Sequence, residues 1–199
     1  MPFEEIRNKL KTFTLVDDNR LKIIFDKVTE TRHIYGVMAE IGVYKGGSSY
    51  LIAKTDTHRL LYSCDSFEGL PEVDSTIDTH KKGDFNDVDF EKVKQLLNLP
   101  NVKIIKGFFP NKELHKDMYD KQYSFVHIDV DLYKPTLDCL NFFYPRLLPG
   151  AILVSDDYLW KGCAGVKKAF DEFMLDKPEK LIDTECKSCY FVKQLHFKR

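Results

Sequence analysis

The stretch His127-Ile128-Asp129-Val130-Asp131-Leu132-Tyr133, "HIDVDLY", decides how the rest of the chain reads. It continues an apolar run from Phe125 with the composition of a buried strand, yet it ends in two carboxylates. The pattern returns in "AILVSDDY", residues 151–158, where an apolar run closes on Asp156 and Asp157. Short unbroken apolar runs are what strands covered on both faces of a parallel sheet look like. Open sheets of that kind bind ligands outside the carboxyl ends of their strands. In an extended chain Asp129 and Asp131 are two residues apart and share one face. Three or four carboxylates gathered at adjacent strand ends repel unless a cation lies between them or some hold protons. Hard oxygen ligands select Mg²⁺, Mn²⁺ or Ca²⁺ over zinc, and a carboxylate outside the ligand set can act as a base. The residues alone leave open which of Asp129 and Asp131 is ligand and which is base. The competing reading pairs these acids with Lys134, Arg146 or Lys161, or makes them helix caps.

Outward from this stretch, strand and helix patterns alternate. Residues 3–31 show apolar spacings of N-terminal helices, broken by "TLVDDN", which offers Asp17, Asp18 or Asn19 as a cap. Strands follow at 37–43, 60–64, 102–105, 125–128 and 152–155, with helices at 48–54, 90–97, 136–147 and 165–174. A short helical connection is expected at 117–121. Two late strands near 181–184 and 190–193 have no helix between them, which predicts an antiparallel pair at one edge. The pattern predicts an α/β fold: one doubly wound, mostly parallel sheet in a single domain spanning 1–199. Residues 66–87 form a long polar loop of the kind that serves as a lid.

"EIGVYKGGS", residues 40–48, is a glycine-rich turn from the first sheet strand into a helix. Gly42, Gly46 and Gly47 let backbone approach a ligand and free amides at the helix start. It is neither G-x-G-x-x-G nor a phosphate loop. Asp65 ends the next strand, roughly 20 residues on, where an acid accepts hydrogen bonds from the hydroxyls of a ribose. The alternative for Asp65 is a cap before "SFEG". Turn and acid together favour a nucleoside-bearing cofactor. If that cofactor is S-adenosylmethionine, a cation beside it can lower the pKa of one hydroxyl of a diol and orient it towards the methyl group.

Composition sets the outer limits. Of 199 residues, 43% are hydrophobic, and 30 Lys+Arg against 31 Asp+Glu leave a formal charge of -1. No basic surplus argues for nucleic acid. No apolar run reaches the roughly 18 residues of a membrane span, and the N-terminus lacks a leader pattern, so a cytoplasmic protein is expected. Five scattered cysteines suit reduced thiols, and "CKSC" (186–189) reads as a turn between the late strands. The histidines show no ligand spacing. His127 reads as a core residue; His80 in the long loop is placed either to touch substrate or, with Lys81 and Lys82 beside it, at the solvated surface. Trp160, just past the second acid motif, either stacks on a sugar or packs.

The motifs "EIGVYKGGSS", "CDSFEGLP", "VKIIKGFF", "HIDVDLYKPTLDCLNFFYPRLLPGAILVSDDY" and "GVKKAFDEF" resemble, in order and spacing, the macrocin-type sugar O-methyltransferases. These are class I, Rossmann-like enzymes dependent on S-adenosyl-L-methionine and Mg²⁺, and the likeness runs from about residue 14 to 193. Carried over, the resemblance implies that Glu40, Gly42, Val43, Tyr44 and Ser48 hold the methionine end of the cofactor. It places Asp65 on the ribose with Ser66 and Phe67 beside it, and Gly107 and Phe108 near the adenine. Asp129, Asp156 and Asp157 resemble the metal ligands and Asp131 the general base. "GFFPNKELHKD" departs from the family's segment after the third strand. "TLVD", residues 14–17, resembles a segment that lines the family's site. The N-terminal region is shorter than in the antibiotic enzymes, where it helps cover substrate and build an oligomer. A homo-oligomer is therefore compatible with the resemblance. The implied activity is methylation of a hydroxyl on a sugar or glycosylated small molecule. The alternatives are a catechol or phenolic diol as acceptor, or a retired methyltransferase-like binding domain.

Overall fold

Parallel strands β1 (Val37–Ile41), β2 (Leu61–Asp65), β3 (Val102–Lys106), β4 (Tyr123–Ile128) and β5 (Leu147–Ser155) carry the apolar runs. Antiparallel β6 (Ile182–Asp183) and β7 (Cys189–Val192) complete a seven-stranded sheet in the order β3-β2-β1-β4-β5-β7-β6. The computed structural model describes residues 1–10 and 12–195. The order reverses direction between β1 and β4, and the crevice that such a switch opens lies at the carboxyl ends of these two strands.

Helices cover both faces, as strands this apolar require. Phe125, Ile152 and Val154 pack with Ile6, Leu21, Ile24 and Val28, which places α1 (Phe3–Arg7), α2 (Asp18–Glu30) and α3 (Gly47–Thr55) on one face. Val126, Ile128 and Leu153 point the other way, into Leu140, Phe143, Val166 and Phe170 of α5 (Tyr133–Phe143) and α6 (Ala164–Met174). α4 (Phe90–Leu96) lies over β3, with Val93 packed among Val43, Phe67 and Leu97.

Several boundaries differ from the expected ones, while the cap of α2 is Asp17, one of the three residues offered for it. The first helix stops at Arg7, and α2 begins after Asp17, whose carboxylate accepts from the amides of Asn19 and Arg20 as an N-cap. The helix expected to run to residue 147 ends at Phe143, and Tyr144–Arg146 tighten into a 3₁₀ turn. Pro145 explains this, because it lacks the N–H that the next α-helical turn needs. β5 therefore starts at Leu147, through "LLPG", and Gly150 N–H bonds to Lys193 O beside β7. β1 stops at Ile41, where Gly42 turns left-handed. Among the described residues no helix is long and apolar enough to cross a membrane.

Candidate active site

The register of the sheet brings the acids together. Ile41 pairs with Ile128, and Ile128 with Ser155. The next residues continue the ladder: Asp129 N–H bonds to Ile41 O at 2.8 Å and Asp156 N–H to Ile128 O at 3.1 Å. Asp129 and Asp156 thus leave neighbouring strands at one level. Asp129, Asp156 and Asp157 each offer a carboxylate oxygen within 4.8 Å of the others. They line a cavity of about 600 Å³, also walled by Gly42, Val43, Tyr44, Ser48, Asp65 and Gly107.

Asp131 reaches the same cavity by a different route from the one expected. The strand ends at Ile128, so side-chain alternation no longer applies; Asp131 instead has φ +59°, and Leu132 N–H bonds to Val130 O at 2.7 Å. Aspartate tolerates left-handed backbone better than most residues, but the conformation is still strained. It aims the Asp131 carboxylate at Cys163 Sγ, 3.5 Å away. Burial, then the Asp157 charge, pushes the Asp131 pKa up to about 8. The same two causes lift Asp156 to about 7, and burial with the Asp156 and Asp157 charges raises Asp129.

The resident counter-charge is Arg20 on α2. Its Nη1 lies 2.5 Å from Asp156 Oδ2 and 3.3 Å from Asp157 Oδ1, and its Nε donates to Asp17 Oδ2 at 3.0 Å. Burial opposes the guanidinium charge, yet Asp156, Asp157 and Asp17 outweigh it and raise its pKa. Lys134 pairs instead with Asp138, and Arg146 lies over the Phe142 ring. Arg20 carries no motif; only the fold shows its role. One positive charge cannot offset three or four ionised acids, which is why burial and mutual repulsion favour their protonated forms. Asp156 Oδ1 is buried without a hydrogen-bond partner among the described residues. An orphaned hard oxygen beside two further carboxylates fits a divalent cation.

The glycine turn serves the protein's own backbone first. Gly42 has φ +89°, and a Cβ there would lie 1.7 Å from Asp129 O. Asp65 Oδ2 accepts from Val43 and Tyr44 N–H at 2.7 and 2.8 Å, and its Oδ1 accepts from Phe67 N–H at 2.7 Å. Each carboxylate oxygen can accept more than one bond, so Asp65 still has capacity for a ligand. Ser66 and the half-exposed Phe108 also line the cavity.

Two of the expected cofactor residues lie elsewhere. Glu40 is wholly buried behind the turn, accepting from Ser49 Oγ and facing His127 Nδ1 at 2.8 Å. On β1 its side chain alternates away from the cavity, into the α3 face. Phe67 packs on Phe90, with ring centroids 4.6 Å apart, rather than on the cavity. His127 is buried as expected, with its Nε2 unpartnered among the described residues. Burial disfavours its charged form, but the bond to Glu40 outweighs this and raises its pKa.

Residues between β2 and α4 form the expected long loop, which crosses the cavity. Tyr133 N–H bonds to Asp78 Oδ1 at 3.0 Å, Thr79 Oγ1 to Gly162 O at 2.5 Å, and Tyr44 hydroxyl to Asp87 at 2.8 Å. Of the two places open to His80, the solvated surface and the substrate side, it takes the second and lines the cavity. Phe13 to Val16 line it too, and Trp160 stands at its edge with Lys187 Nζ 4.0 Å above the ring. Cys186 and Cys189 are free thiols flanking the turn into β7. His196, one of the six histidines read as having no ligand spacing, lies outside the described residues.

Known proteins resemble this chain in sequence and fold. The chain is 32% identical over 146 residues to the 8-demethyl-8-(2,3-dimethoxy-alpha-L-rhamnosyl)-tetracenomycin-C 4'-O-methyltransferase of Streptomyces olivaceus, covering 64% of this chain and 55% of that one. It is 27% identical to the demethyldecarbamoylnovobiocin O-methyltransferase of Streptomyces niveus, over 85% of this chain and 72% of that protein. The chain therefore spans little more than half the length of the first relative. Among solved structures, the O-methyltransferase NovP superposes with a TM-score of 0.80 at 26% identity, covering 96% of this chain and 88% of that one. The family model for macrocin O-methyltransferase matches residues 9–193, from just after α1 through β7 and across every residue that lines the acidic cavity. With nearly its whole length matched, this chain belongs to the macrocin O-methyltransferase family.

Proposed function

We propose that this protein methylates a hydroxyl group on a sugar or glycosylated small molecule. The observation that carries the reading is the convergence of Asp129, Asp156 and Asp157 within 4.8 Å, beside Asp131, in one cavity of about 600 Å³. That volume suits a nucleoside cofactor and part of an acceptor. S-adenosyl-L-methionine would supply the electrophilic methyl group. Gly42, Val43, Tyr44 and Ser48 line the side where its methionine end would rest, Asp65 and Ser66 the ribose side, and Gly107 and Phe108 the adenine side. Mg²⁺, or Mn²⁺, held by Asp129, Asp156 and Asp157, would supply Lewis acidity at the acceptor's oxygens.

The remaining work falls to the chain itself. Asp131 lies outside the triad, and burial and Asp157 put its pKa near the working range of a general base. It accepts the proton from the acceptor hydroxyl as the C–O bond forms. Arg20 neutralises part of the acidic charge and fixes Asp156 and Asp157 in position. The loop pinned at Asp78, Thr79 and Asp87 excludes water from the reacting pair. Exposed Trp160 and Leu15 offer apolar surface at the mouth for a sugar face or an aglycone.

Calorimetric titration with S-adenosylmethionine, with and without Mg²⁺, tests the cofactor. Mass analysis of a sugar, glycoside and catechol library then tests the acceptor. A gain of one methyl on a glycoside, dependent on Mg²⁺, is the expected result. Methylation of catechols alone would move the acceptor class, and cofactor binding without any product would mark a retired site.

A further inference from the structure

His80, Asp131 and Cys163 come from three separate segments, yet they bring one ligand atom each within 4.8 Å of one another. His80 Nε2 lies 3.5 Å from Cys163 Sγ, Cys163 Sγ 3.5 Å from Asp131 Oδ1, and His80 Nε2 4.0 Å from Asp131 Oδ1. A tetrahedral zinc ion, with bonds of about 2.3 Å to sulfur and about 2.0 Å to nitrogen, holds those two atoms about 3.5 Å apart. The observed spacings therefore enclose a position at bonding distance from all three donors after small shifts.

The surroundings hold this geometry in advance. His80 Nδ1 lies 3.3 Å from Asp84 Oδ2, which leaves Nε2 aimed at Cys163, and Asp84 Oδ2 is itself fixed by Lys81 N–H at 2.8 Å. A carboxylate on the far nitrogen of a ligating histidine is the usual outer support of a zinc site. Thr79 to Gly162 ties the loop bearing His80 to the segment bearing Cys163, and Asp78 to Tyr133 ties it to the segment following Asp131. Gly165 permits this last approach, since a Cβ there would meet Asp78 Oδ1 at 1.8 Å. His80 and Asp131 open onto the cavity, which gives an entry path and room for a fourth ligand.

We propose that His80, Cys163 and Asp131 form a second metal site, selective for a zinc-class divalent cation and separate from the all-oxygen triad. One imidazole nitrogen, one thiolate and one carboxylate make a borderline-soft donor set, which Mg²⁺ does not favour and Zn²⁺ does. Cys163 binds as the thiolate, its proton passing to solvent. Occupation clamps the loop to the start of α6 and takes up Asp131. On the reading of Asp131 as the base, zinc occupation and methyl transfer exclude each other.

The test uses the full chain in saturating Mg²⁺, with Co²⁺ as a spectroscopic stand-in for Zn²⁺. One equivalent of Co²⁺ is expected to give a thiolate-to-cobalt charge-transfer band that one equivalent of Zn²⁺ removes. The band is expected to vanish in Cys163→Ser and His80→Ala, and Asp84→Ala is expected to weaken binding about 10–100-fold. His80 sits on a surface loop, so its variant keeps the test decisive if Cys163→Ser fails to fold. Bound cobalt without the band, a band unchanged in His80→Ala, or displacement by Mg²⁺ would overturn the site. The band does not depend on turnover, so a chain that shows it but methylates nothing keeps this site and loses the proposed function.

Discussion

The guanidinium of Arg20 lies 2.5 Å from Asp156 and 3.3 Å from Asp157, and so joins α2 to the carboxyl end of β5 across the cavity floor. All three side chains are buried or nearly so, which removes the solvent screening that makes surface pairs weak. Arg20 therefore sets how much acidic charge is left for a metal to neutralise.

Replacing that charge should make stability depend on metal. Arg20→Leu leaves buried acids uncompensated, a loss of about 3 kcal/mol by comparison with other broken buried pairs. Mg²⁺ at millimolar concentration should restore part of it, and should stabilise the variant more than the parent chain. Urea unfolding of both proteins with and without Mg²⁺ checks this. If Mg²⁺ stabilises neither, the triad does not hold a cation.

Asp129 and Asp131 should separate by role. Asp129→Asn is expected to weaken Mg²⁺ binding, with excess metal recovering part of the turnover. Asp131→Asn is expected to bind cofactor and Mg²⁺ nearly normally while turnover falls about 10²–10⁴-fold, as for loss of a general base. The reverse pattern in calorimetry and rate assays would exchange the two assignments.

Asp65 braces the glycine turn and is proposed also to bind the cofactor's ribose. Its charged hydrogen bonds contribute roughly 1.5–3 kcal/mol each in comparable sites, so Asp65→Ala should weaken S-adenosylmethionine binding at least about tenfold. Because Asp65 also accepts from Val43, Tyr44 and Phe67 N–H, the glycine turn should loosen even without ligand. Hydrogen exchange at residues 43–47 reads that second effect. Unchanged cofactor affinity with a loosened turn would leave Asp65 as a brace alone.

The loop over the cavity should answer to its pins. Asp78 is buried, and its loss in Asp78→Ala removes the bond to Tyr133 N–H. Amide exchange across residues 74–84 should accelerate, and cofactor with Mg²⁺ should slow it in the parent chain. Equal protection with and without ligands would count against a lid.

Acid should strip one stabilising contact remote from the cavity. Burial works against the charged form of Glu179, but bonds from Tyr144 hydroxyl, Lys193 and Gln194 N–H outweigh it and hold the pKa down at about 2. A carboxylate depressed in the fold contributes stability above its unfolded pKa, near 4.5, and loses it as pH falls towards about 2. The contribution is on the order of 3 kcal/mol. Glu179→Gln should be less stable at neutral pH and show a shallower decline below about pH 4.5 in urea midpoints. An acid limb as steep as the parent's would assign the decline to other groups.

The sequence by itself determined the strands, their mostly parallel pairing and the level at which their acids emerge. Runs such as 125–128 and 152–155 are apolar on both faces because both faces are covered, and that constraint is local enough to read. The position of Asp131 was legible although the expected route to it was not, since the strand ends at Ile128 and a left-handed turn carries the carboxylate round. Glu40 and Phe67 show the limit of reading position as contact. Both lie next to cavity-lining residues in the chain, yet side-chain direction sends one behind the turn and the other onto Phe90. The tertiary structure alone decided that Arg20 meets Asp156, and that His80 meets Cys163 and Asp131. Such pairs join residues far apart along the chain, and neither partner carries a periodic or capping signal that points to the other. Their approach depends on how α2 and the long loop pack over the end of the sheet, which is a balance of contacts distributed over the whole core.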